Sequence, residues 1–236
     1  MCRKNSNRIK IEKDTKQKNH SNSVMNKAFL FSHFQFFSII SSLQPPSQLK
    51  TLDDLIAQAG HYAEFCMRNS GSMPPTLFLI GSEGPMMLIP KTMAGDQDKD
   101  DFATTSRLMC IAHAASACVM ALEAWMKSAG KDEKIDTTEM PSEAIDRQEV
   151  IVLMGDDRAN QKQKFLPIIR SDNGKFFGLN DSETQVMDSM TGRFAQILSP
   201  KVPDEETQML AKVMLQVKGA KTVRLGNGPR LPRSRR

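Results

Sequence analysis

Lys164-Phe-Leu-Pro-Ile-Ile-Arg170, Ser171-Asp-Asn-Gly174 and Lys175-Phe-Phe-Gly-Leu179 read as strand, turn and strand. Asn-Gly between apolar runs is the strongest short-range hairpin signal, because both residues tolerate positive φ. Pro167 has no N–H to give to a ladder, so its strand belongs at an edge or carries a bulge. Working outward, Glu149-Val-Ile-Val-Leu-Met154 is a further strand, closed by Gly155-Asp-Asp157. Upstream, Thr76-Leu-Phe-Leu-Ile80 and Pro85-Met-Met-Leu-Ile89 flank Gly81-Ser-Glu-Gly84 and form a second hairpin. Cys118-Val-Met-Ala-Leu-Glu-Ala-Trp-Met126 is read as a strand, because fusing it to the helix before it would make a very long apolar run. Strands following strands, without strict helix alternation, point to an α+β fold with a mainly antiparallel sheet.

Helices frame these strands. Thr51-Leu-Asp-Asp54 has the form of a capping box, and Leu52, Leu55, Ile56, Ala59 and Tyr62 keep helical spacing to about Met67. A second helix is expected from Lys99 to Ala117, with Phe102, Thr105, Met109, Ala112 and Ser116 on one face. Two more are expected at Ser182–Leu198 and Asp204–Val217. The fold expected is thus α+β: about five or six short strands in a mainly antiparallel sheet, a packed helix and C-terminal helices. Its divisions are a disordered or mis-assigned leader over 1–50, a single α+β domain over 51–200, a C-terminal helix over 201–225 and a disordered basic tail over 226–236.

Composition bounds what such a chain does. Of 236 residues 39% are apolar and 25% charged, enough for a real core. The net charge of +5 is unevenly spread: residues 1–27 hold +6 and residues 212–236 hold +8, leaving −9 for the centre. An acidic centre repels phosphate, so nucleic-acid contact would rest on the arms and not on a folded face. No run of 18 uncharged apolar residues is present, so no membrane span is expected. Residues 28–43 are an uncharged Phe-rich run behind a basic leader, which offers membrane association as the alternative to a cytoplasmic location. Four cysteines with no CxxC pair fit a reducing compartment and no zinc site.

Chemistry-bearing residues are sparse. Glu123, Asp146 and Glu149 would form an acidic cluster if the strands at 118–126 and 149–154 are neighbours; two or three carboxylates can hold a divalent cation for phosphodiester hydrolysis. Trp125, the single tryptophan, beside a carboxylate is a candidate pocket wall. Leu122-Glu-Ala-Trp-Met126, Pro141-Ser142 and Asp146-Arg-Gln-Glu-Val-Ile-Val152 together resemble small uncharacterised prokaryotic proteins. Those carry a Glu-Ala-Trp-Met strand, a Pro-Ser loop and an Arg-x-Glu-Val strand, and the resemblance covers about residues 75–180. It implies a bacterial-type cytosolic α+β domain and no activity. The expectation is a non-enzymatic cytosolic interaction or accessory module, without cofactor or metal, partnered by a second copy or another protein. The alternative is a metal-dependent hydrolase or nuclease using the acidic cluster.

Arg230, Arg233, Arg235 and Arg236 close a tail without acids or aromatics, so any nucleic-acid contact is weak and nonspecific. With about four phosphate contacts, log K should fall against log salt with a slope of about −3 to −4. An anisotropy titration of the full chain against a chain ending at Gly226 measures this; equal binding by both would show that the tail takes no part.

Overall fold

Helix α1 (Leu52–Ser70) starts where the capping box places it. The Asp54 N–H donates to Thr51 Oγ1 at 3.1 Å, and Asp54 Oδ2 accepts from the Thr51 N–H at 3.0 Å. Gly71, at φ 73°, ends the helix by donating its N–H to the Met67 carbonyl, a conformation that glycine adopts without strain. The computed structural model describes residues 49–126, 147–188, 190–220 and 222–225. Residues 1–48 of the leader expected over 1–50, the Phe-rich run at 28–43 within it, residues 127–146 and the basic tail over 226–236 lie outside them.

The strands are β1 (Thr76–Gly81), β2 (Gly84–Leu88), β3 (Ala117–Met126), β4 (Gln148–Asp156), β5 (Gln161–Arg170), β6 (Phe176–Leu179), β7 (Gln185–Met187) and β8 (Thr222–Arg224). They form one sheet in the order β6-β5-β4-β3-β1-β2-β8, with β7 pairing β5 beside that path. Every pairing is antiparallel. The α+β class, both hairpins and the strand reading of Cys118–Met126 are as the sequence implies, and the described strands number eight against the five or six expected.

Alternation along β3 assigns the two faces. Cys118 and Met120 join Leu77, Leu79, Met86 and Leu88 against α2 (Asp96–Ala112) and α3 (Glu205–Lys218), with Phe102, Met109, Ala211 and Leu215 in the same core. Their neighbours Val119 and Ala121 face the other way, toward α1, whose Leu52 and Ile56 lie over Gly155 of β4. Tyr62 of α1 meets Phe78 of β1 edge to face, with ring centroids 5.4 Å apart.

Three elements differ from the sequence reading. The second helix starts three residues earlier and ends at Ala112, not Ala117. Ala114, at φ 45°, closes it without a glycine: its N–H donates to the Ile111 carbonyl and the Ala115 N–H to that of Cys110, while the Ala115 side chain is fully buried. Ser182–Leu198 is not a helix. Thr184, Val186, Asp188, Thr191 and Gly192 are poor helix formers, and the free outer side of β5 takes Gln185–Met187 as β7. The chain then turns through Gly192 and Gln196, both at positive φ, and is pinned to α2 by Arg107, which donates to the Arg193 and Ala195 carbonyls. Past α3, which is the single described helix at the C-terminal end, Thr222–Arg224 adds to β2 as β8 instead of continuing a helix to 225.

Pro167 sits in β5 between β4 and the outer strands, yet on a local edge. Its carbonyl accepts from the Asn180 N–H at 2.9 Å, just past the end of β6, and β7 pairs only with Gln161–Gln163. Its missing N–H therefore falls in the gap between β6 and β7.

Gly155 marks the closest approach of α1 to the sheet: an added Cβ would stand 2.8 Å from Leu52 Cδ1 and 3.3 Å from Ile56 Cδ1. Gly155→Ala is expected to lower stability by about 1–3 kcal/mol through overpacking, read from the urea midpoint. An unchanged midpoint would mean that α1 shifts without loss.

Candidate functional site

The sequence-derived residues gather at the far end of β3, β4 and β5. Trp125 stands opposite Glu149, and Glu123 opposite Ile151, so Glu123 and Glu149 are diagonal neighbours on the α1 face. Each carboxylate has a partner. Glu123 Oε1 accepts from the Met73 N–H at 2.6 Å, which ties β3 to the chain leaving α1. Glu149 Oε2 pairs with Arg170 Nε of β5 at 2.5 Å. Arg147 lies over the Trp125 ring, 4.6 Å from its centroid, and Trp125 remains 40% exposed. Asp146 is outside the described residues, as are Arg230, Arg233, Arg235 and Arg236.

The electrostatics of Glu123 follow from this setting. Partial burial raises its pKa above the ordinary carboxylate value; the Met73 N–H pulls it down, the Glu149 charge raises it and Arg170 lowers it. Behind it, burial pushes the Cys66 thiol up to about 11. The arrangement is an ion pair, a backbone clamp and a cation–π contact in series. No group of three or more His, Cys, Asp or Glu side chains with metal-holding geometry occurs among the described residues. Glu149 does more than start a strand, since it fixes the end of β5 through Arg170. Arg170 is the member that sequence reasoning missed: only the register of β4 against β5 brings it to Glu149.

His113 serves as the C-cap residue of α2. Burial, with Lys212 nearby, holds its pKa below the ordinary value, and its carbonyl accepts from the Ser82 N–H at 2.8 Å.

A second feature lies on α3. Ala211 and Leu215 face the core, while Met209, Leu210, Val213, Met214 and Val217 are exposed, Val217 by 84%. Leu210, Val213, Met214 and Val217 follow i, i+3, i+4, i+7 spacing and so line one side of the helix. Val202, just before the helix, is also exposed. The periodicity of 204–217 is legible in the sequence; that only two of its apolar residues reach the core is not. No helix among the described residues is long and apolar enough to cross a membrane.

Comparison of the chain with protein-family models, with curated proteins and with solved structures finds no match.

The raised Glu123 pKa sets a pH dependence. The folded state holds this proton to higher pH than the unfolded state, so its contribution to stability is full below the unfolded value and declines as pH rises through the folded one. Glu123→Gln should flatten that decline and keep an acceptor for the Met73 N–H, whereas Glu123→Ala should lose about 1 kcal/mol at neutral pH. Urea unfolding of the three proteins from pH 4 to pH 8 checks both. Identical profiles for wild type and Glu123→Gln would show that Glu123 is unperturbed.

Proposed function

We propose that this protein is a non-enzymatic cytosolic module that acts by associating with another protein surface, and that the outward side of α3 is the surface it uses. The observation that carries the reading is the exposed apolar stripe Leu210, Val213, Met214 and Val217 on a helix whose opposite side is core. Contiguous apolar surface on this scale marks an interaction site more often than incidental exposure. The two methionines give it an adaptable contour. The free buried thiols Cys66, Cys110 and Cys118 support a reducing compartment. The hydrolase or nuclease alternative lacks comparable support, because Glu123 and Glu149 are engaged by Met73 and Arg170.

An association surface contributes little to the fold that carries it. Leu210→Asp with Val217→Asp should each cost under about 0.5 kcal/mol in the dilute protein. Leu215→Asp, on the opposite side, buries an unpaired charge and should cost more than about 4 kcal/mol. Urea unfolding at low protein concentration measures both. A loss from the stripe pair as large as that from Leu215→Asp would make the stripe part of the core and overturn the reading.

A further inference from the structure

We infer that Met209 and Met214 of α3 form an oxidant-sensitive modification site, at which a peroxide converts the thioethers to sulfoxides and turns the outward side of the helix from apolar to polar; this rests on the reading of that side as an association surface. Among the described methionines these two alone are exposed, by 68% and 44%. Met67, Met86, Met87, Met109 and Met120 are each only 1% exposed. Met209 lies one turn before Val213, and Met214 one turn after Leu210, so both adjoin apolar residues that are exposed with them.

Thiols, the usual first targets of a peroxide, are withdrawn from competition. Their reactivity needs thiolate character and access to solvent. Cys66, Cys110 and Cys118 are all buried. Burial pushes the Cys66 thiol up to about 11. A hydrogen bond between the Cys110 and Cys118 thiols, together with burial, raises Cys118 as well. Among the described residues the α3 methionines are therefore the accessible sulfur donors.

The step balances between one thioether and one hydrogen peroxide. A sulfur lone pair attacks a peroxide oxygen; the S–O bond forms and the O–O bond breaks. The departing hydroxide takes the proton of the transferred oxygen and leaves as water. Sulfur gives up two electrons and the peroxide accepts them. Return to the thioether falls to methionine sulfoxide reductases, one for each sulfoxide epimer. An exposed helix side gives such enzymes access that a core methionine does not.

The fold does not depend on these two side chains. Ala211 and Leu215 are the residues of α3 that reach the core, and Asp204 caps the helix by accepting from the Thr207 N–H at 2.8 Å. The sulfoxide oxygen arrives where water already reaches, whereas in the core the same oxygen would be desolvated without a partner. Oxidation at Met209 and Met214 thus changes what α3 presents and leaves what holds it in place.

Graded treatment of the full chain with hydrogen peroxide at neutral pH, followed by tryptic mass mapping, reads the site. Cleavage at Lys201, Lys212 and Lys218 puts the two methionines on separate peptides. Met209 and Met214 should oxidise at least about tenfold faster than Met86, Met87, Met109 and Met120. Equal rates, or first oxidation in the core, would overturn the site. An apolar fluorescent dye reads the consequence. The untreated chain should bind it, and the oxidised chain several-fold less, with unchanged circular dichroism. The two sulfoxide reductases should restore the binding. Met209→Leu combined with Met214→Leu should bind the dye and keep binding it after peroxide. A loss in that double variant would place the effect elsewhere and overturn the assignment. Selective oxidation without loss of dye binding would leave the association surface standing and overturn its control by oxidation. No dye binding by the untreated chain would overturn the association reading itself.

Discussion

The antiparallel ladder between β3 and β4, running from Cys118↔Asp156 to Met126↔Gln148, is the constraint on which the rest of the structure depends. β3 also pairs with β1 over its first half, from Ile80↔Ala117 to Thr76↔Ala121. The first half of β3 is therefore buried between two strands and two helical layers, and its second half leans on β4 alone. One register fixes both. It sends Cys118 and Met120 to the α2 and α3 side and Val119 and Ala121 to the α1 side. A slip of β3 by one residue would exchange the two sets and turn Glu123 to the other face, away from the chain leaving α1. The Glu123 bond to Met73 is a polar clamp that such a slip would break, and the Glu149 pair with Arg170 ties β4 to β5.

Where β4 turns into β5, Arg158 performs a similar service from an unusual backbone position. It lies at φ 71°, held there by its N–H donating to Asp156 Oδ1 at 2.8 Å. Its guanidinium donates to the Ala115 carbonyl at 2.6 Å and to the Ser199 carbonyl at 2.9 Å. One side chain thus joins the end of α2, the start of β3 and the irregular segment that brings Ile197 and Leu198 into the core. Carbonyls that helix end and loop would leave without partners are satisfied by a guanidinium whose own backbone N–H is anchored on buried Asp156.

Strands β1 to β6 were legible in the sequence because their signals are local. Asn173-Gly174 and the apolar runs at 76–80, 85–89 and 149–154 carry their own turns and alternation, and the capping box at Thr51 and Asp54 needs no tertiary help. The misplacements share a cause in tertiary context. Ala114 ends α2 only because Ala115 finds a buried place, and nothing in Ala-Ala-Ser-Ala announces a stop. Gln185–Met187 is a strand because β5 has a free outer side, a fact about β5 and not about those three residues. β8 likewise depends on the outer edge of β2. Of the candidate site, the proximity of Glu123 and Glu149 was conditional on β3 meeting β4, which the register satisfies. Arg170 was invisible, since it comes from a third strand.

Helix α3 presents a different kind of problem from the sheet. A helix needs only one apolar side to pack, and Ala211 and Leu215 already supply it. Leu210, Val213, Met214 and Val217 add nothing to that contact, yet their exposure disfavours the monomer in water by the same hydrophobic free energy that drives folding. Polar residues at these four positions would keep α3 amphipathic without that disadvantage.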